Sequence, residues 1–365
     1  MRSSRTRFSR SRPARTLTAA LAAVLASAGL AAAPAAAAGP PPLRASPTPL
    51  LWPRSGLETV SATGPNDVWA GGYQGYQGID WSIPGFGAGT IDVLPPKAVV
   101  TRWNGTYWQT HDMPGTGGDA AVEKIDAGSP SNVWAAGRLH AFQDVAKHKP
   151  FVARWDGARW HDVAPPDGCA PQHPEADASG AWFACGTTIL RWEGGRWTEY
   201  DAGAPDNCCI AVNEISAVPG GPAWAATTWG LVRWDGQGWS EIAELPQDVF
   251  WNRVLAVSAD EVWATGTAPG GSGFRQRVLY RWDGETWSEG PATPGNEELV
   301  RTGDGTTWAH GYWGDLYRFD GGTWTEVEVP APDDGQITDA TAVPGAPTLW
   351  AVGKTKNVPV VLNNR

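Results

Sequence analysis

A short apolar strand built around tryptophan recurs seven times along the chain, centred on Trp69, Trp134, Trp182, Trp224, Trp263, Trp308 and Trp350. Successive copies are 65, 48, 42, 39, 45 and 42 residues apart, the period of a four-stranded propeller blade with insertions. Between them lies a second motif, Arg-Trp-Asp-Gly-x-x-Trp, in six copies: Arg102 to Trp108, Arg154 to Trp160, Arg191 to Trp197, Arg233 to Trp239, Arg281 to Trp287 and Arg318 to Trp324. Asn104 and Glu193 replace the Asp, and Phe319 replaces one Trp.

Each unit reads as four strands. Strand A is apolar, strand B carries the first-motif Trp, strand C ends at Arg-Trp and strand D starts near the next Trp. The Asp-Gly between C and D is expected to supply two positive-φ residues of a tight hairpin. No helical periodicity interrupts the pattern, and 45 Gly with 31 Pro suit an all-β chain. These features predict an all-β fold, a seven-bladed β-propeller of four-stranded antiparallel blades. Seven first motifs against six second motifs leave the last blade short of its outer strand. The segment Pro47 to Pro53, with Leu50, Leu51 and Trp52, is expected to fill that gap and close the ring.

Residues 1–38 read as a secretory signal peptide, with six arginines, an Ala-rich apolar run and small residues before Gly39. Residues 39–46 are expected to be a flexible segment, and 47–365 a single propeller domain. No span long enough to insert in a membrane is expected. Without the leader the chain has 22 basic against 38 acidic residues, a net charge of −16, which argues against nucleic acid as a partner. Export places Cys169, Cys185, Cys208 and Cys209 where disulfides form. Adjacent cysteines have Cα atoms only about 3.8 Å apart, so two bridges tying Cys169 and Cys185 to the Cys208-Cys209 pair are the expected arrangement.

The strand B ending in Gly71-Gly72, the aromatic-Asp pairs Trp155-Asp156, Trp234-Asp235 and Trp282-Asp283, and the Trp that follows each resemble a kelch repeat. The runs Asp283 to Trp287 and Asp320 to Trp324 are similar to the Asp-box turns of sialidase-type propellers. Both resemblances imply a scaffold. The kelch double Gly is missing from most strands B, as are the leading Ser and Asp-x-Gly spacing of the Asp-box, so no active-site residue is implied.

Eighteen of the 23 Trp belong to the two motifs and are expected to pack between blades, because a residue repeated in every blade meets a need every blade shares. The preceding Arg is expected to pair locally or lie over an indole. Trp52 is assigned to ring closure. Trp81, Trp229, Trp251 and Trp313 fall in B–C or D–A connections, which emerge on one face, and with Tyr73, Tyr76 and Tyr312 they are the candidate ligand-binding aromatics. That face also holds three B–C insertions: Tyr73 to Pro96, Arg138 to Pro150 and Thr267 to Arg277. His140, His148, His173 and His310 map there as possible acid–base or metal groups, whereas His111 and His161 read as scaffold. No cofactor is expected, apart from a divalent metal ion that this face could hold.

Two functions compete. One is a secreted, monomeric binding propeller that recognises an extracellular glycan or protein ligand through this face. The alternative is a secreted hydrolase or lyase acting on a polysaccharide or glycoside there, with acid pairs such as Asp144 with Glu175 or Asp177. Propellers host both kinds of function.

Overall fold

The computed structural model describes residues 40–365 except 86, 144, 206–210, 271–274, 296–297, 312–313, 333 and 357. The leader, Cys208, Cys209, Asp144, Tyr312 and Trp313 therefore lie outside the described residues. Seven four-stranded antiparallel sheets follow one another as blades. Blade one comprises strand A (Gly56–Gly64), B (Asp67–Gln74), C (Lys97–Trp103) and D (Trp108–Asp112), paired in the order A-B-C-D. Blades two to six repeat that order, with strands A at Ala120–Ser129, Gln172–Ala176, Val212–Ala217, Phe250–Ser258 and Glu298–Arg301. Blade seven comprises Gln336–Ala342, Leu349–Lys354 and Pro359–Asn363.

The N-terminal chain completes blade seven, but with a different segment from the expected one. Arg44–Ala45 pairs antiparallel with Pro359–Asn363, Arg44 opposite Asn363 and Ala45 opposite Leu362. Leu43 is the anchor, buried against Val360 and Leu362, whereas Leu50 is 95% exposed and Trp52 60% exposed. The closing strand thus lies in the stretch read as flexible. A two-residue strand with one buried Leu carries too little periodicity to be seen in sequence.

Indoles hold the blades together. Trp69 of blade one packs against Trp155 and Trp160 of blade two, Trp134 against Trp192 and Trp197, and Trp182 against Trp234 and Trp239. Trp350 of blade seven meets Trp103 and Trp108 of blade one, so the same three-indole seam also joins the last blade to the first. In these four seams the strand-B Trp reaches the C–D pair of the next blade, and each seam carries three large rings whose edge and face contacts add to simple burial. The motif arginines cover the same rings: Arg102 lies over Trp69, Arg191 over Trp182, Arg233 over Trp224 and Arg281 over Trp263.

The C–D turn works differently from the expected two-residue hairpin. Only the Gly has positive φ, 100° at Gly157 and 99° at Gly236, and the Asp before it keeps an ordinary backbone. The carboxylate of Asp156 instead accepts the backbone N–H groups of Ala158 and Arg159, and Asp235 and Asp283 do the same in their turns. Asp is selected here as a local acceptor.

Cys169 and Cys185 bridge each other, with Cα atoms 5.8 Å apart, so the expected pairing of each with the Cys208-Cys209 pair is overturned. Cys169 precedes strand A and Cys185 ends strand B of blade three, and these adjacent antiparallel strands bring the two residues to one end of the blade. The first insertion, expected as a loop, is a hairpin of Gln77–Ile83 with Gly87–Leu94. Ile79, Trp81 and Ile83 alternate along one of its faces, each at least 39% exposed.

Candidate functional site

The innermost strands A line a central channel. Each presents an exposed edge to it, whose N–H groups need acceptors. Side chains of the preceding blade supply them. Asp339 Oδ2 accepts from Val60 N (3.0 Å), Thr59 Oγ1 from Ile125 N (3.0 Å), Asp126 Oδ2 from Ala176 N (2.6 Å), Glu175 Oε1 from Ala217 N (2.7 Å) and Glu214 Oε2 from Val254 N (2.7 Å). Five successive seams, from blade seven round to blade five, are tied in this way.

The same strands place charge inside the channel. Lys124 of blade two reaches across to Glu298 of blade six, 2.9 and 2.8 Å from its two oxygens, and lies 3.8 Å from Asp339. Burial acts to lower the Lys124 pKa, but Asp339 and Glu298 outweigh it and hold it above its usual value. Burial likewise pushes Glu298 up, and Lys124 with Arg253 outweigh it, holding the carboxylate charged. Elsewhere burial prevails. The Asp126 and Glu175 carboxyls are raised, and Glu214 is pushed up to about 7. His173 is lowered to about 4 by burial first and then by Lys124 and Arg253, so its imidazole is neutral.

Above this lattice, on the face carrying the B–C insertions, a cavity of about 620 Å³ opens. Tyr73, Phe142, Arg138, Lys149 and Lys354 stand around it, with Lys124 and His173 below. A second cavity of about 620 Å³ continues along the channel and shares Lys124 and His173 with the first. Phe142 stacks on Tyr76 and meets Tyr73 edge-on, each at 5.1 Å. Burial pushes the Tyr73 hydroxyl up to about 12, with Glu58 adding to it.

The candidate aromatics therefore separate. Tyr73 lines the cavity and Tyr76 braces its Phe142 wall. Trp81 stands on the hairpin, 39% exposed. Trp251 is not on a connection. Strand A of blade five starts one residue before it, and its ring is fully buried against Tyr280. Trp229 is half-buried, packed against the core between blades three and four with its indole N–H enclosed, and Trp313, expected beside it, lies outside the described residues.

The histidines separate as well. His148 and His173 line the cavity. His140 sits beside Asp119 on the second insertion, its backbone N–H donating to the Asp119 carbonyl. His310 is buried in the channel, 3.4 Å from Asp339 and 3.9 Å from Glu298. Among the described residues Glu298, His310 and Asp339 form a trio whose ligand atoms lie within 4.8 Å of one another. The Lys124 ammonium already supplies positive charge to Glu298 and Asp339 there. Of the nominated acid pairs, Asp144 lies outside the described residues, and its two possible partners are engaged locally. Glu175 is tied to Ala217, and Asp177 accepts from Ser179, Gly180 and Arg191 in the turn at the other end of its blade.

Sequence reading missed Lys124, Glu214, Arg253, Glu298 and Asp339. Their signal was an ionisable residue inside the apolar first strand of most repeats, a position where charge is rare unless it is paired.

No family model and no curated protein matches the chain. Solved structures match over nearly its whole length. YCF48 bound to D1 peptide superposes with a TM-score of 0.57 at 15% identity, covering 90% of this chain and 98% of that one. The extracellular domain of BT4673 from B. thetaiotaomicron gives 0.57 at 12%, covering 88% of this chain and 39% of that one. The WD40 propeller domain of Doa1 gives 0.58 at 10%, covering 88% and 96%. At such identities the likeness establishes the fold, a seven-bladed β-propeller.

Proposed function

We propose that the chain is an exported binding propeller that takes a segment of a partner protein at the mouth of its channel, on the face built by the B–C insertions. The observation that carries this reading is the cavity of about 620 Å³ walled by Tyr73, Phe142, Arg138, Lys149 and Lys354. Two considerations favour a protein segment over a glycan. Tyr76 stacks on Phe142 and Tyr73 meets it edge-on, Trp251 is buried, and Trp229 is half-buried, which removes much of the flat aromatic surface a sugar would need. The propeller of YCF48 has been solved with a peptide bound. Binding is favoured over hydrolase or lyase chemistry because the channel carboxyls of Asp126, Glu175, Glu214 and Asp339 are engaged by backbone N–H groups. Export rests on the N-terminal segment and agrees with the Cys169–Cys185 bridge. A kelch-like or Asp-box-like ancestry would concern only the scaffold.

Screening the purified protein against a displayed random peptide library and a glycan array tests the proposal. Peptides that protect Tyr73 and Phe142 from hydrogen exchange in the surrounding backbone are expected. Glycans alone as ligands, or peptides protecting only the opposite face, would overturn it.

A further inference from the structure

The chain contains six lysines, and the topology brings all of them to the same sector of the ring. Lys97 begins strand C of blade one. Lys147 lies in the short helical turn Val145–Lys147 and Lys149 begins strand C of blade two. Lys354 ends strand B of blade seven and Lys356 follows in its B–C connection. Ends of strands B and starts of strands C share the cavity face, and Lys124 lies below it in strand A of blade two. Blades seven, one and two are consecutive, joined by Asp339 to Val60 and Thr59 to Ile125. Three of the lysines line the cavity.

Of the arginines, Arg138 also lines the cavity, where it is paired with Glu123, and most others are used elsewhere. Five of the six in the repeated motif, Arg102, Arg154, Arg191, Arg233 and Arg281, lie over strand-B indoles as part of the scaffold. Lysine is a strongly hydrated point charge that suits an exposed anion-attracting surface. Some of this charge is balanced: Lys97 pairs with Asp112, Lys354 with Glu58 and Lys124 with Glu298. Among the described residues Lys147 and Lys149 have no carboxylate within ion-pair distance. A basic sector on a chain whose mature net charge is −16 focuses attraction for anions at one place.

We infer that the segment taken at the channel mouth is an acidic stretch of polypeptide, seated across blades seven, one and two. This rests on the peptide-binding reading above and adds the chemical class of the ligand. Aspartate and glutamate side chains would meet Lys147 and Lys149 at the rim while the segment occupies the cavity between Tyr73, Phe142 and Lys354.

The test uses acidic, neutral and basic peptide libraries of equal length with the full chain, a Lys147→Ser/Lys149→Ser variant and an Arg159→Ser/Arg196→Ser variant. The last removes the same charge from exposed C–D turns. Acidic peptides should be selected, and their affinity should fall about tenfold in the lysine variant and with added salt, but stay within about twofold in the arginine variant. Mouth-bound peptides with no acidic preference, or equal weakening in both variants, would overturn the inference and leave the binding reading standing. Absence of any mouth-bound peptide would remove the reading itself. Binding of anionic polysaccharide in place of peptide would overturn both.

Discussion

Trp69 of blade one and Trp155 of blade two meet across their seam with ring centroids 5.2 Å apart, and Trp160 closes on Trp69 edge-on at 5.7 Å. Trp155→Ala should therefore cost about 3–5 kcal/mol, the range for deleting a buried indole. Trp81→Ala, on the hairpin, should change stability by about 0.5 kcal/mol or less. Urea unfolding of the two variants checks this, and equal midpoints would contradict the seam.

Ring closure through Leu43 and the Arg44–Ala45 strand gives a second contrast. Leu43→Ala should cost about 2–5 kcal/mol, because Leu43 fills the space beside Val360 and Leu362. Leu50→Ala, at a fully solvated site, should leave the melting temperature unchanged. The reverse order would place closure at Pro47 to Pro53 after all.

The Cys169–Cys185 bridge closes a loop of 16 residues, for which the chain-entropy argument gives about 3 kcal/mol. A Cys169→Ala/Cys185→Ala variant should lose roughly that amount. Peptide mapping without reduction should recover the 169–185 link, and a link from either residue to Cys208 or Cys209 would refute it.

Glu214 and His173 should give opposite pH dependences. Glu214, raised to about 7 from 4.5, keeps its proton in the folded chain where the unfolded chain has lost it. Its contribution is fully present below about pH 4.5 and declines as pH rises to about 7. His173, lowered to about 4 from 6.5, stays neutral when folded while the unfolded chain takes up a proton. Its contribution is present above about pH 6.5 and is lost as pH falls to about 4. Across this window Glu214→Gln should make stability rise more steeply with pH than in the parent, and His173→Asn should make it rise less steeply. Unfolding midpoints at several pH values check this, and three parallel profiles would show that neither group titrates as argued.

Sequence alone determined the blade count, the strand order and the inter-blade role of the repeated Trp, because a repeat writes each shared packing need six or seven times over. It also marked the cavity face, since insertions can grow only where strands connect. Tertiary structure alone decided the rest. Trp229 and Trp251 look in sequence like exposed loop aromatics, and only the packing of neighbouring blades shows Trp251 enclosed and Trp229 half-buried. The pairing of Cys169 with Cys185 depends on which strand ends lie side by side. The Lys124–Glu298 contact joins residues 174 apart across the channel, and the six lysines form one sector only when blade seven closes onto blade one. Those relations depend on closure of the ring, a distance condition between remote segments that leaves no periodic trace in the chain.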